Sequence, residues 1–162
     1  MTQRIPMTPT GRDILRAELK QILEVERPQN VQDIEEARAH GDLSENAEYH
    51  AAKERQAYLD ARMKEVKGRL SLAEVIDPKT LSGERVVFGA TVTLEDAKTG
   101  DEVIYTIVGE DEADAKKGLI SITSPLARAL IGKEIDATVR FQAPGGMKVF
   151  ELVDVSFGEE QD

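Results

Sequence analysis

The feature that most constrains this fold is a single interruption between two long stretches of helix-forming sequence. Before it, hydrophobic residues recur three and four positions apart, and after it they follow a heptad pattern. The interruption, residues 37–50 (ARAHGDLSENAEYH), contains Gly41 followed by two carboxylates, Asp42 and Glu45. Because a glycine between amphipathic helices favours a turn, the pattern predicts a helical hairpin whose far end carries both acids.

The two hydrophobic seams locate the turn independently of its own residues. In an antiparallel hairpin, facing residues have position numbers with a nearly constant sum. Three pairs share one such sum: Leu15 with Leu70, Leu19 with Val66, and Ile22 with Met63. Half of that sum falls between Asp42 and Leu43, which predicts the apex at residues 41–44. Arms of about 28–30 residues would make a rod about 45 Å long.

Two prolines mark the first arm. Thr8 followed by Pro9 is typical of a helix start, with a hydroxyl that caps free amides and a proline in the first turn. Pro28 lacks an amide hydrogen and is predicted to kink or interrupt the helix, after which Val31 and Ile34 resume the seam. The seam of the second arm comprises Ala52, Gln56, Leu59, Met63, Val66, Leu70 and Ala73.

The composition is that of a soluble protein, and we expect it in the cytoplasm. Hydrophobic residues make up 40% of the 162 residues and charged residues 32%, no apolar run approaches the ~20 residues that span a bilayer, and no signal peptide opens the chain. The absence of cysteine excludes disulfides and thiolate chemistry. The net charge of −10 argues against a protein that coats nucleic acid, since phosphate binding needs an excess of Lys and Arg.

The second half of the chain predicts an α+β domain. Pro78 and Gly83 end the helical pattern, and the hydrophobic period then falls to two. We predict an N-terminal coiled-coil domain over residues 1–76 with its tip near 41–45, a linker over 77–83, an antiparallel sheet with one short helix over 84–157, and a disordered acidic tail over 158–162. The predicted strands are 90–94, 103–108, 119–123, 138–141 and 149–155, and the predicted helix is 126–131, started by Ser124 and Pro125.

Two explanations of Asp42 and Glu45 stay open on spacing alone. Asp-x-x-Glu is a capping box, in which Asp42 accepts from the amide of residue 45, Glu45 reaches back to that of residue 42, and the second helix gains its start. Alternatively, the two carboxylates complete a magnesium site whose other ligands belong to a second protein and a phosphate, because Mg²⁺ takes six oxygen ligands.

Other residues near the interruption leave further alternatives. His40 and His50 are the only histidines, and with the two acids they offer a zinc set, although the spacing matches no familiar zinc pattern. Arg38, Lys53 and Arg55 form either a solvated face or contacts to an RNA backbone. The rod itself has a competing explanation, since heptad seams often serve dimerisation or docking along another subunit. No nucleophile–base pair or glycine-rich phosphate loop stands out, so an enzyme is not predicted.

Several ordered motifs resemble the Gre-type bacterial transcript cleavage factors. The clearest is GDLSENAEY at residues 41–49, and the likeness continues through VFGATV at 87–92, IVGEDEAD at 107–114 and SPLARALIGK at 124–133. The resemblance covers nearly the whole chain. It implies an N-terminal antiparallel coiled coil, a C-terminal FKBP-like domain, and a monomeric transcription elongation factor that is not itself an enzyme.

In that family the coiled coil enters the secondary channel of bacterial RNA polymerase. The tip acids, matched here by Asp42 and Glu45, help hold the second magnesium ion of the polymerase active centre, which then cleaves backtracked nascent RNA and restores an end for elongation. Related inhibitors of the channel carry more acids at the tip, so the intervening Leu43 and Ser44 favour the cleavage type.

The resemblance also implies roles for four further residues. Ser124 and Pro125 match the segment that grips the β′ rim of the channel, and Arg38 and Lys53 match a basic patch that faces the RNA 3′ end. Two rival functions remain at this point: a binding module that blocks the channel without cleavage, and a stand-alone prolyl isomerase or chaperone. The first would leave RNA in a stalled complex uncut, and the second would act on a proline peptide without polymerase.

Overall fold

The computed structural model describes residues 3–42 and 45–158, and the chain divides into two compact units. One unit is Asp13–Leu72, and the other combines Gln3–Arg12 with the chain from Ala73 onward. The predicted turn residues Leu43 and Ser44, and the predicted tail beyond Gly158, lie outside the described residues. Within the described residues, no helix is long and apolar enough to cross a membrane.

The predicted helical hairpin is confirmed. Its first arm comprises α1 (Pro9–Gln21), a π-helical turn (Ile22–Glu26) and α2 (Arg27–Arg38), and its second arm is α3 (Ala47–Ser71). Side-chain contacts between the arms run in antiparallel order. They join Glu18 to Arg62, Glu26 to Arg55, Asn30 to the carbonyl of Ala52, and Ala37 to Asn46. Leu15, Ile22, Leu59 and Val66 are buried between the arms as the heptad pattern predicts.

The π-helical turn is the interruption that Pro28 predicts. The amide of Arg27 donates to the carbonyl of Ile22, five residues earlier, which makes room for a proline ring that would collide with the carbonyl four residues before it. A π-turn holds more residues than an α-turn, so it rotates the side chains that follow. The prediction that Val31 lies in the seam is therefore wrong: Val31 is 52% exposed, and Asn30, 4% exposed, takes the inward position.

The second unit contains a five-stranded sheet with the strand order β5-β4-β3-β7-β6 and one short helix, α4 (Pro125–Leu130). The strands are β3 (Ala90–Asp96), β4 (Glu102–Val108), β5 (Leu119–Ser121), β6 (Thr138–Ala143) and β7 (Gly146–Phe157). On one face, Leu126, Ala127 and Leu130 of α4 join the buried cluster of the sheet. The α+β fold class is thereby confirmed.

One strand pairing differs from the prediction of a wholly antiparallel sheet. Strand β5 pairs with β4 in parallel, with Thr106 opposite Leu119 and Val108 opposite Ser121. A parallel pair needs a crossover connection, and here two 3₁₀ turns, Glu110–Glu112 and Ala115–Lys117, carry the chain back until Leu119 lies opposite Thr106. The sheet is therefore mixed.

A second, two-stranded sheet was not predicted. Strand β1 (Ile5–Met7) pairs in parallel with β2 (Ala73–Val75), and the amide of Ile76 donates to the carbonyl of Met7 at 2.8 Å. Immediately after β1, the predicted helix start is confirmed, because Thr8 Oγ1 accepts from the amide of Gly11 at 3.1 Å. Residues 3–12 thus fold with the sheet unit.

Candidate functional site at the hairpin tip

The first arm ends in a tightened turn that leads into a glycine. Beyond Arg38, the amides of Ala39, His40 and Gly41 donate to carbonyls three or four residues back, at 3.2–3.4 Å. Gly41 has a φ of 114°, a conformation that residues with a Cβ rarely adopt, and no atom lies within 4 Å of the place where a Cβ would be. Glycine is thus required at this position by backbone geometry rather than by lack of space.

The second arm begins at Ala47, and Asn46 is its N-cap. The side-chain oxygen of Asn46 accepts from the amide of Tyr49 at 3.1 Å. The predicted capping box of Asp42 and Glu45 is therefore wrong as the start of α3, because asparagine caps as well as aspartate and Asn46 directly precedes the helix. Asp42 and Glu45 both lie before α3, and both are exposed.

Three contacts join the end of α2 to the start of α3, and we refer to them as the tip clasp. They are the hydrogen bond from Asn46 Nδ2 to the carbonyl of Ala37 (2.6 Å), the pair of His40 Nδ1 with Glu48 Oε2 (3.2 Å), and the stacking of the Arg38 guanidinium over the Tyr49 ring (5.9 Å to the centroid). The clasp brackets the segment that carries Asp42 and Glu45. Both ends of that segment are therefore held by contacts outside it.

The donor set of the tip fits part of a magnesium site. Asp42 and Glu45 offer carboxylate oxygens, which are the ligands that Mg²⁺ prefers, yet an octahedral ion needs six. The described residues contain no group of three or more His, Asp or Glu side chains that could hold a metal ion by itself. The alternative zinc set is likewise not assembled: His40 faces Glu48, and the His50 ring packs edge-on against Tyr49 at 5.8 Å.

The basic residues near the tip differ in how firmly they are engaged. Lys53 is exposed, and its Nζ donates to Gln56 Oε1 at 2.7 Å on the same helix. Arg55 pairs with Glu26 of the other arm at 2.9 Å and stacks over the Tyr58 ring. Arg38 belongs to the tip clasp. An ion pair and a ring contact thus hold Arg55 along the hairpin, whereas Lys53 is held only by a neighbour on its own helix.

The residues predicted to contact the polymerase rim lie in the sheet unit. Ser124 is the N-cap of α4, with Oγ accepting from the amide of Ala127 at 3.2 Å, and Pro125 is the exposed first residue of that helix. The predicted helix start is confirmed. Its role in binding is a separate question, because capping by itself accounts for serine at this position.

Sequence reasoning missed two residues that the structure singles out. Asn46 precedes the first helical residue and is a standard capping type, a signal that the Asp-x-x-Glu spacing obscured. Glu112 lies in the sheet unit, where burial raises the pKa of its carboxyl, while a hydrogen bond from Thr8 Oγ1 acts in the opposite direction. No local pattern in the sequence marks Glu112, because Thr8 is distant along the chain.

Comparison with known proteins covers nearly the whole chain. The model of the N-terminal domain of the transcription elongation factors GreA and GreB matches residues 5–75, and that of their C-terminal domain matches residues 81–157. The chain is 57% identical to the transcription elongation factor GreA of Jannaschia sp. (strain CCS1) over 96% of this chain and 99% of the relative. It is also 57% identical to GreA of Anaeromyxobacter sp. (strain K), over 98% and 96%. Among solved structures, GreA factor homolog 1 of Thermus thermophilus is 25% identical over 94% of this chain and 99% of that one, with a TM-score of 0.43.

Proposed function

Because the chain belongs to the GreA/GreB family of transcription elongation factors, we propose that it binds bacterial RNA polymerase and stimulates cleavage of backtracked nascent RNA. The hairpin enters the secondary channel and presents its tip to the polymerase active centre. The chain supplies ligands to that centre and is not an enzyme on its own. Cleavage restores an RNA 3′ end from which an arrested complex resumes elongation.

The observation that carries this proposal is the state of the two tip carboxylates. A structural role in capping α3 would account for acids at this place, but Asn46 performs it. Asp42 and Glu45 are instead exposed between the two arms, with the clasp on either side. Exposed acids at the end of a narrow hairpin are suited to reach a site inside a partner.

In the complex, Asp42 and Glu45 would each offer a carboxylate oxygen to a magnesium ion, and the polymerase and the RNA would supply its other ligands. When bound, the ion lowers the pKa of a water and stabilises charge on the reacting phosphate. The tip acids lower the net positive charge of the site and hold the ion in place. Two carboxylates alone bind Mg²⁺ weakly, so the cofactor is required only in the assembled complex.

The remaining predicted residues serve binding and positioning in this proposal. Arg38 and Lys53 lie along the hairpin and face the RNA 3′ end, where positive charge is attracted to the phosphate backbone. Ser124 and Pro125, at the start of α4, contact the β′ rim of the channel. A monomer suffices for these contacts, since one hairpin fills one channel.

The test is to add the protein to a purified backtracked complex whose RNA carries a label at its 5′ end. We expect the labelled RNA to shorten in the presence of Mg²⁺ and then to be extended when nucleotides are supplied. Labelled RNA that stays uncut while the protein is bound would contradict the proposal and support a channel blocker. Activity on a proline peptide without polymerase would support the isomerase instead.

A further inference from the structure

We propose that Asn46 is a positioning residue for the tip carboxylates, through a single side-chain amide that links the two arms. This inference rests on the proposed function, since it concerns how the tip is held for its task in the polymerase. Asn46 itself lies outside the pair of acids, and its side-chain amide is engaged by Ala37 and Tyr49. It acts on Asp42 and Glu45 through the backbone that connects it to them.

The two hydrogen bonds of Asn46 use both halves of its amide. Nδ2 donates to the carbonyl of Ala37 at 2.6 Å, and Oδ1 accepts from the amide of Tyr49 at 3.1 Å. A carbonyl can only accept and a backbone amide can only donate, so these partners fix the orientation of the side chain. Each partner belongs to a helix end, where the usual bonds between residues four apart run out. The carbonyl of Ala37 also accepts from the amide of His40 at 3.2 Å, so Asn46 adds a second bond to it. One side chain thus joins the last turn of α2 to the first turn of α3.

Asparagine is the side chain best suited to do both. Serine, threonine and aspartate also accept from an amide at the N-cap. Of these, aspartate carries no donor when ionised, and serine and threonine have a single hydroxyl oxygen in place of the two amide atoms by which Asn46 contacts Ala37 and Tyr49. Glutamine carries the amide but is not among the preferred N-cap residues. The pairing of cap and cross-link is therefore specific to Asn46.

The Asn46 bond is the strongest member of the tip clasp. The side chains of His40 and Glu48 are 62% and 72% exposed, and exposed ion pairs contribute only about 0–1 kcal/mol. Arg38 lies 5.9 Å from the Tyr49 ring centroid on an exposed surface, where such contacts contribute about 0.5–1 kcal/mol. Asn46 is half-buried, and Ala37 is only 2% exposed, so this bond competes less with water.

Fixing both ends of the tip matters because metal-assisted catalysis is sensitive to small displacements. A shift of about 1 Å in a positioned group can lower a rate by about a hundredfold. Asp42 and Glu45 lie between Ala37 and Asn46 in the sequence, and the bond between these two anchors joins the chain on either side of the two carboxylates. Without it, the tip clasp keeps only its two exposed contacts. The carboxylates would then spend less time in the geometry that binds metal.

The experiment compares Asn46→Ser with the wild type in cleavage of backtracked RNA. Serine keeps the cap on α3 and removes the link to Ala37, so it isolates the link. His40→Ala is the matched control, since it removes an exposed contact of the same clasp and leaves Asn46 intact. The maximal cleavage rate at saturating protein, the protein concentration at half-maximal rate, and the Mg²⁺ concentration at half-maximal rate are each measured.

We expect Asn46→Ser to lower the maximal rate by about tenfold and to raise the Mg²⁺ requirement, with an unchanged half-saturating protein concentration. His40→Ala should remain within about twofold of the wild type. A wild-type maximal rate and Mg²⁺ dependence for Asn46→Ser would overturn the inference while leaving the proposed function intact. The inference would also be overturned if adding more Asn46→Ser protein restored the wild-type cleavage rate, since the deficit would then reflect weaker folding or weaker binding to the polymerase.

Two further results are informative. A wild-type protein that does not stimulate cleavage would overturn the proposed function and this inference together. Should circular dichroism show that Asn46→Ser loses helix, Asn46→Asp replaces it, because aspartate keeps a full-strength cap and still lacks the donor. The same fall in maximal rate is then expected, and its absence would overturn the inference.

Discussion

An acid that precedes a helix can be its N-cap, or it can lie before the cap and face solvent. At this tip the choice depends on which residue directly precedes the first helical turn. Asn46 does, and its side chain accepts from Tyr49. Asp42 and Glu45 are thereby left exposed beside the N-terminus of α3, where the helix dipole favours negative charge.

Glu112 allows a prediction about pH at the residue scale. Burial raises the pKa of its carboxyl above the ordinary 4.5, so the folded protein holds this proton more tightly than the unfolded chain. Its contribution to stability is complete below that ordinary pKa and is lost as the pH rises through the raised value. Glu112→Gln cannot titrate, and its free energy of unfolding relative to the wild type should therefore increase as the pH rises from below the ordinary pKa to above the raised one.

Urea unfolding of both proteins at several pH values checks this. Glu84→Gln, at an exposed position of the same unit, is the control and should show a smaller change with pH. A difference between Glu112→Gln and the wild type that stays constant over this range would contradict the assigned cause.

At the scale of elements, two glycines with different surroundings should respond oppositely to alanine. Gly68 lies within α3, and no atom is within 4 Å of an added Cβ, so Gly68→Ala should raise the free energy of unfolding by about 0.5–1 kcal/mol.

At Gly109 an added Cβ would lie 2.9 Å from the carbonyl oxygen of Pro6. Gly109→Ala must displace β1 and should lower stability by about 1–3 kcal/mol. Chemical unfolding followed by circular dichroism measures both, and equal signs would contradict the packing described.

Elements that extend over many residues were predictable from the sequence. Very short strands, and pairings between strands that depend on tertiary structure, were not. The heptad pattern of α3 repeats over 25 residues, and it located the hairpin and its turn. Strands β1 and β2 have three residues each, which is too few for a periodic signal. The parallel pairing of β4 with β5 depends on the crossover between them, which alternation along a single strand does not encode.

At the hairpin tip, too, some features were predictable from the sequence and others were not. Asp42 and Glu45 were predicted from residue type and from their place between two helical patterns. The outward position of Val31 was not, because it depends on how the helix relieves the strain at Pro28. Asn46 was missed because half of its role is a bond to Ala37 in the other arm. Contacts of that kind appear only once the two arms are placed side by side.

At the scale of the whole molecule, chain order and folding units do not coincide. Residues 3–12 precede the hairpin in sequence but fold with the sheet unit. Met7 is 1% exposed, and its carbonyl accepts from Ile76. The two-stranded sheet of this unit therefore forms only when the start of the chain has joined residues that follow the hairpin.

A chain that begins at Thr8 tests this. It lacks β1 but keeps the cap of α1, so β2 loses its partner strand, and the amide of Ile76 loses its acceptor. We expect hydrogen exchange at Ile76 to accelerate by at least about tenfold. The amide of Leu152 in β7, which donates to the carbonyl of Ala137, is the internal control. Unchanged protection at Ile76 would show that β1 does not hold this region.

The most direct test of the central claim is the maximal rate of RNA cleavage with neutral isosteres at the tip. Asp42→Asn and Glu45→Gln keep the size and shape of the side chains but remove the negative charge and replace one acceptor oxygen with a donor that cannot bind Mg²⁺. With polymerase saturated, each should lower the rate by about a hundredfold or more, since the metal contributes several kcal/mol to the transition state. Glu54→Gln, an exposed acid further along α3, should cleave like the wild type. Wild-type cleavage by either tip variant would contradict a metal-binding role for these carboxylates.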